Sequence, residues 1–294
     1  MLGSMSKCRL MFKSIADVNY PNNPRCRKAP GVCTSTRLTS IGVCPMKFYD
    51  SISELEETGL VQAGRSLRHS GVSCCPYHSL NLADHVGDEP EAVKENRRIF
   101  FDQIGVDAHN FAYCRQIHSA HVICIPVPQA PLPEADAMIT THVDLTLGVF
   151  TADCVPVFIL DPVTPAIGIA HAGWRGTLAG IAAKTINAMQ HYFGTSASNC
   201  MVHLGPSIQQ CCYTVSQELA DQFENAFGTS VRSEDCRLSL QNAIVQQLIQ
   251  IGIPAFNISV SLRCTACHTD LFFSHRAEEG QTGRMLSFIR LLKK

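Results

Sequence analysis

The chain has 294 residues, 46% hydrophobic and 17% charged, with a formal net charge of −1. That composition belongs to a folded globular protein rather than a disordered one. Near-neutral charge offers no electrostatic footprint for nucleic acid, and no apolar run reaches the roughly 18 residues that a membrane-spanning helix needs. Fifteen cysteines are an odd number for a closed disulfide framework, and a chain of this length can bury a core without staples. The expectation is a cytoplasmic, reducing environment with mostly buried thiols.

Residues 1–50 carry eight Lys/Arg against only Asp17 and Asp50, and the first 45 show no sustained apolar period. They read as a basic, disordered extension, with 51–294 as a single domain. An organelle-targeting segment, or a true start at Met46, is the alternative reading; no secretory pattern is present. Glu89-Pro90-Glu91 opens a helix over Ala92–Ile104, with Pro near the first helical position and acids in the first turn. His121–Ile125 reads as a strand closed by Pro126 and Pro128, and Pro131–Glu134 as a loop. Ala137–Thr140, Leu147–Ala152, Val155–Leu160 and Ala166–Ala170 are short β-rich runs, and the two longest are apolar on both faces, as strands of a covered sheet are. Thr177–Phe193 has helical periodicity and stops at Gly194. A strand at Met201–Leu204, helices at Gln217–Phe227 and Leu238–Ile251, and a strand at Ile258–Leu262 complete the series. Strands that so often follow strands predict an α/β sandwich with mixed sheets rather than strict βαβ alternation.

Three polar residues interrupt apolar sequence at strand ends: His118, Cys154 and His171. Strand ends at strand–helix turns are where open sheets place their sites. One thiolate and two imidazoles suit zinc, and three protein ligands leave the fourth position open, as in catalytic sites. A metal there would acidify a bound water and hold Cys154 as thiolate. The spacings of 36 and 17 residues match no short zinc motif, so on spacing alone surface or satisfied core histidines are the commoner reading of these residues. His121 falls on the opposite face of its strand from His118. Gly173 and Gly176 flank Trp174-Arg175 at a predicted helix start, which suits either an anion or a tight turn; Leu204-Gly205-Pro206-Ser207 is equally open.

Other patterns fail on context. Cys264-Thr265-Ala266-Cys267-His268 spells a c-type haem attachment motif, but no export signal accompanies it; the same C-x-x-C lacks a thioredoxin-like setting. Cys211-Cys212 are adjacent and poorly placed to chelate one metal alone. No dinucleotide fingerprint, P-loop or Gly-x-Ser-x-Gly elbow occurs. The absence of any His-x-His counts against a multicopper site.

Across residues 61–294 the ordered motifs are Arg68-His69-Ser70-Gly71-Val72-Ser73, Ser79-Leu80-Asn81-Leu82, His85-Val86-Gly87-Asp88, Gln116-Ile117-His118, Glu134-Ala135-Asp136-Ala137, Thr151-Ala152-Asp153-Cys154, His171-Ala172-Gly173-Trp174-Arg175-Gly176, Leu204-Gly205-Pro206, Cys211-Cys212-Tyr213, Cys264-Thr265, Phe272-Phe273-Ser274, Arg276 and Thr282-Gly283-Arg284-Met285. In these the sequence resembles the laccase-domain proteins, also labelled multicopper polyphenol oxidase, peptidoglycan editing factor and purine nucleoside phosphorylase. The resemblance implies a layered α/β sandwich related to bacterial cysteine-histidine toxins, with zinc ligands at His118, Cys154 and His171. It implies phosphorolysis of adenosine, inosine and methylthioadenosine with phosphate as co-substrate, and deamination of adenosine to inosine. Arg68, Arg175 and Arg276 are then candidate phosphate partners, and Asn81 and Asp153 candidate base or ribose contacts. A peptidoglycan-precursor editing amidase would use the same three ligands; a copper-dependent phenol oxidase is the third alternative, and a non-catalytic zinc-stabilised binding protein the fourth. The sequence departs from the family pattern at Ala83, where Gly is usual, at His275, where Tyr is common, and in the acidic stretch Arg276–Gly283. Oligomeric state is not encoded in any of these motifs.

Overall fold

A computed structural model describes residues 48–126 and 133–293. The expectations for residues 1–45, and part of the Pro131–Glu134 loop, lie outside the described residues. The elements run in chain order: β1 (Tyr49–Ser51), α1 (Ser53–Glu56), β2 (Val61–Ser66), α2 (Pro90–Ile104), β3 (Phe111–Tyr113), β4 (Val122–Cys124), β5 (Ala137–Thr140), β6 (Thr146–Thr151), β7 (Val155–Asp161), β8 (Ala166–Ala172), α3 (Trp174–Leu178), α4 (Ile181–Phe193), β9 (Met201–Leu204), α5 (Gln217–Phe227), α6 (Leu240–Gln250), β10 (Ile258–Val260) and β11 (Met285–Leu291).

Two mixed sheets form. One has the order β1-β2-β11-β6-β3, the other β10-β9-β7-β8-β5-β4. Only β3–β6, β4–β5 and β9–β10 pair in parallel. Strand period 2 sorts the side chains. Phe158, Leu160, Ile167 and Ile169 pack with Leu147, Val149 and Ile289 between the sheets, while Val157, Ile159, Ala166 and Ala170 face α4 and α6. On the far side of the first sheet, Phe100, Phe101 and Ile104 of α2 cover Phe150, Leu286 and Phe288. The α/β sandwich is therefore helix, sheet, sheet, helices. Both β6 and β7 are buried along their whole length, as doubly apolar strands must be.

Several boundaries differ from expectation for physical reasons. The single helix expected over Thr177–Phe193 is two, α3 and α4, because Gly180 takes φ +76° between them. A left-handed residue cannot continue a right-handed helix, and the apolar period running through Leu178 and Ile181 hides that break. Strand β8 runs two residues past Ala170 because the His171 N–H donates to the Asp136 carbonyl at 2.7 Å, which continues the ladder. Leu238–Ile251 shortens to α6 because the Ser239 hydroxyl caps the Asn242 N–H. Strands β1, β2, β3 and β11 lie where the sequence pattern predicts none. The thiols are not mostly buried. Of the eleven described cysteines only Cys114, Cys200 and Cys264 are, because most of the others lie on loops outside the two sheets. Among the described residues, no helix is long and apolar enough to cross a membrane.

Candidate metal centre

The antiparallel ladder of β7 and β8 pairs Val155 with Ala172 and Pro156 with His171. Cys154, one residue before β7, therefore falls opposite Gly173, one residue after β8. His118 arrives from the segment between β3 and β4. The result is that the ligand atoms of His118, Cys154 and His171 all lie within 4.8 Å of one another, and the two imidazole rings stand edge to face at 4.8 Å. His171 is buried and His118 exposed, so the cluster opens to solvent on the His118 side.

One buried carboxylate organises this cluster. Asp136 accepts from the His171 Nδ1–H at 2.9 Å, from the backbone N–H groups of Ile117, His118 and Ser119 at 3.3, 3.0 and 2.6 Å, and from the Ser119 hydroxyl at 2.7 Å. These bonds hold His118 at φ +58°, a conformation non-glycine residues reach only when surroundings impose it. They also fix the His171 tautomer, leaving Nε2 as its ligand nitrogen. Burial works against the Asp136 charge, but the donors outweigh it and hold its carboxyl down at about 2. His171 is likewise burdened by burial, yet the neighbouring Cys154 and Asp136 charges carry it up to about 9. His118 is held low, first by burial and then by the positive charge of His171.

The donor set fits a metal ion. A Cβ on Gly173 would stand 2.9 Å from His118 Nδ1 and 3.1 Å from Cys154 Sγ, so the chain leaves this position without a side chain where the three ligands meet. A Cβ on Gly176 would come 3.0 Å from the Ser119 carbonyl. Both glycines thus serve close approach of α3 to the His118 loop rather than an open anion cradle. Gly205 similarly packs against Pro156, at 2.7 Å from an added Cβ. His121 is held away from the cluster by the Glu134 carbonyl at 2.9 Å.

The five other expected site residues divide into two groups. Arg175 is exposed, stacked on Trp174 at 4.2 Å, with no acid paired to it among the described residues. Arg276 lies over the Tyr213 ring and donates to the Thr214 carbonyl at 2.7 Å. Arg68, by contrast, is committed to the carbonyls of His78, Thr269 and Phe272, to Glu278 at 3.1 Å, and to the Phe273 ring. Asn81 is buried, and its amide is occupied by Ala83, Asp88 and the Arg284 N–H. Both oxygens of Asp153 are taken, by the Thr265 and Ser274 hydroxyls at 2.6 and 2.7 Å and the Arg276 N–H at 2.7 Å. These bonds hold Asp153 at φ +89° and so aim Cys154.

Two further motif residues, Asp136 and Arg284, bear on the centre although the motif pattern by itself assigns neither a role. Asp136 is the organiser described above. Arg284 lies within electrostatic reach of His85, His118, Cys154 and Asp153. The backbone of Arg284 is held by Asn81 and its guanidinium by the Thr282 and Gly283 carbonyls. The signal for both was a charged residue set among small and apolar neighbours, in Glu134-Ala135-Asp136-Ala137 and Thr282-Gly283-Arg284-Met285. The acidic departure at Glu278 is absorbed structurally. Its carboxylate takes the Ser274 N–H, the Thr282 hydroxyl and Arg68, away from the ligands.

This fold and this site place the chain in a known class: it belongs to the multi-copper polyphenol oxidoreductase laccase family, whose model matches residues 62–292. It is similar to purine nucleoside phosphorylase YlmD of Geobacillus stearothermophilus, at 34% identity over 243 residues, 77% of this chain and 89% of that one. The crystal structure of YlmD from that organism superposes with a TM-score of 0.76, covering 79% of this chain and 92% of YlmD. Bacillus licheniformis hypothetical protein YfiH superposes with a TM-score of 0.74 at 37% identity, covering 79% and 93%.

Proposed function

We propose that the chain is a metal-dependent purine nucleoside phosphorylase in which His118, Cys154 and His171 hold a zinc ion. The observation that carries this reading is the three-ligand cluster, open to solvent, beside Arg175 and Arg276, whose guanidinium groups form no ion pair among the described residues, in a chain 34% identical to a purine nucleoside phosphorylase. Zinc held by two imidazoles and one thiolate, with a position left open, supplies Lewis-acid polarisation and lowers the pKa of water.

In phosphorolysis a phosphate oxygen attacks the anomeric carbon of the ribose and the glycosidic bond breaks. The base departs with the electron pair and takes up a proton; the sugar 1-phosphate is the other product, ribose 1-phosphate from adenosine or inosine and its 5-methylthio derivative from methylthioadenosine. Phosphate brings negative charge, which Arg175, Arg276 and Arg284 would balance. Arg68, already bound to carbonyls and Glu278, positions the loops instead. Asn81 sets the Arg284 backbone, and Asp153 sets Cys154 and the Arg276 backbone. The substrates are adenosine, inosine and methylthioadenosine; deamination of adenosine to inosine is a second activity of the same centre.

The test is incubation of the intact protein with adenosine and phosphate, following adenine, ribose 1-phosphate and inosine. Turnover is expected, with loss in Cys154→Ala. An intact, metal-loaded protein that forms none of these products overturns the reading. Arg284→Met is expected to lower kcat/KM for phosphorolysis about 100-fold, the scale of removing one preorganised charge-stabilising donor, with metal content unchanged.

A further inference from the structure

A second group of ligand side chains lies outside the His118 cluster. The sulfurs of Cys211, Cys212, Cys264 and Cys267 all lie within 4.8 Å of one another. Cys211 to Cys212 is 3.7 Å, Cys211 to Cys267 is 3.5 Å and Cys212 to Cys267 is 3.4 Å. A tetrahedral zinc tetrathiolate with bonds of about 2.3 Å has edges of roughly 3.8 Å. The four sulfurs are therefore close to the size of a single ion's coordination shell. An iron–sulfur cluster, with several irons between the thiolates, would hold them farther apart.

Neither pair can build this shell alone; two turns bring them together. The first turn is closed by the Cys212 and Tyr213 N–H groups on the Gln209 carbonyl at 2.9 and 3.0 Å. The second carries the C-x-x-C spacing and is closed by the His268 N–H on the Cys264 carbonyl at 3.1 Å. A bridge between Ser207 and Cys264, and the Thr265 N–H on the Ser207 carbonyl at 3.1 Å, set the two turns side by side. The Gln209 N–H also points at Cys264 Sγ at 3.4 Å. Arg237, ion-paired with Asp235 at 2.7 Å, lies within electrostatic reach of Cys211 and Cys212.

We propose that Cys211, Cys212, Cys264 and Cys267 bind one zinc ion as a closed tetrathiolate site that locks these two turns together. Four protein ligands leave no open position, so the site is structural. Binding replaces thiol protons, which pass to solvent, with one divalent ion. The site acts on the neighbouring centre by position: Thr265, inside the C-x-x-C turn, donates to Asp153, which aims Cys154. Thr265 and Asp153 are positioning residues in this arrangement.

The experiment is metal analysis with X-ray absorption at the zinc edge on full-length protein expressed with zinc. Two zinc ions per chain are expected in the wild type. One is expected in His118→Ala/Cys154→Ala, surrounded by sulfur alone. One is expected in Cys211→Ser/Cys267→Ser, with mixed nitrogen and sulfur. Because the cysteine variant can fail to fold, the His118→Ala/Cys154→Ala protein is decisive by itself. No zinc there, zinc bound through nitrogen or oxygen, iron in place of zinc, or a Cys212–Cys267 disulfide in the protein as isolated overturns the proposal. None of these measurements involves nucleoside turnover, so the proposal and the enzymatic reading fail separately.

Discussion

Gly173 sits at φ −80° and ψ 178°, a backbone that any residue adopts, so an alanine there brings crowding and no strain. Its Cβ would press on both His118 and Cys154. Gly173→Ala is expected to weaken metal binding about 10-fold, roughly 1.4 kcal/mol, with little change in thermal stability of the metal-free protein; equilibrium dialysis with zinc and a melting curve separate the two effects. Asp136 acts on the same centre from behind the ligands. Asp136→Asn keeps the shape but loses the charge that orients His171 and pins the His118 loop, and metal affinity is expected to fall about 10- to 100-fold, the usual cost of removing a partner of a metal-ligating histidine. Competition with a chromogenic chelator measures this. Unchanged affinity would show that the ligand geometry stands without Asp136.

At the scale of elements, strands and helices meet through residues chosen for their bulk. Along β8 the face toward α4 is Ala166, Gly168 and Ala170, and a Cβ on Gly168 would already stand 3.1 Å from Met189 and Thr185. Gly168→Val places two further carbons in that contact and is expected to cost about 1–3 kcal/mol, the range for overpacking a core. Urea denaturation measures it, and no loss would mean that α4 can move outward freely. Helix α6 begins at the buried Ser239, whose hydroxyl accepts the Asn242 N–H at 3.1 Å. Ser239→Ala is expected to cost about 1 kcal/mol, with Ser239→Asp recovering part of the loss.

For the whole molecule, acid stability turns partly on His203, on β9 beside the sheet-to-sheet core. Burial drives its pKa down to about 4, against the pull of Glu54 and with the push of Arg65. The folded state keeps this imidazole neutral, while the unfolded chain takes up a proton below its ordinary value of 6.5. The contribution is therefore intact above about pH 6.5 and is lost as pH falls from 6.5 to 4, by roughly 3 kcal/mol. In His203→Asn the decline in unfolding free energy between pH 7.5 and 4 is expected to be shallower by that amount. Equal slopes in the two proteins would place the acid sensitivity elsewhere.

The sequence by itself determined the local pattern: the period-3.6 runs that became α5 and α6, the doubly apolar runs that became β6 and β7, and the α/β class with mixed sheets. It marked His118, Cys154 and His171 as polar interruptions at strand ends, and the ordered motifs carried the family. It did not show β11, because Met285–Leu291 is apolar with Ser287 and Arg290 interspersed and reads as a strand only when β2 and β6 lie on either side. Nor did it show which charged residues serve each other. Arg68, Asn81 and Asp153 look like substrate contacts in a motif, yet their polar atoms are spent on chain segments up to 210 residues away in sequence. The same holds for the cysteines. Cys211-Cys212 and Cys264-x-x-Cys267 are each too few for a metal shell, and only the pairing of Ser207 with Cys264 makes them four. Periodicity and composition are local quantities, so they survive in one dimension. Hydrogen-bond satisfaction and ligand convergence depend on distances between remote segments, which only the packed chain fixes.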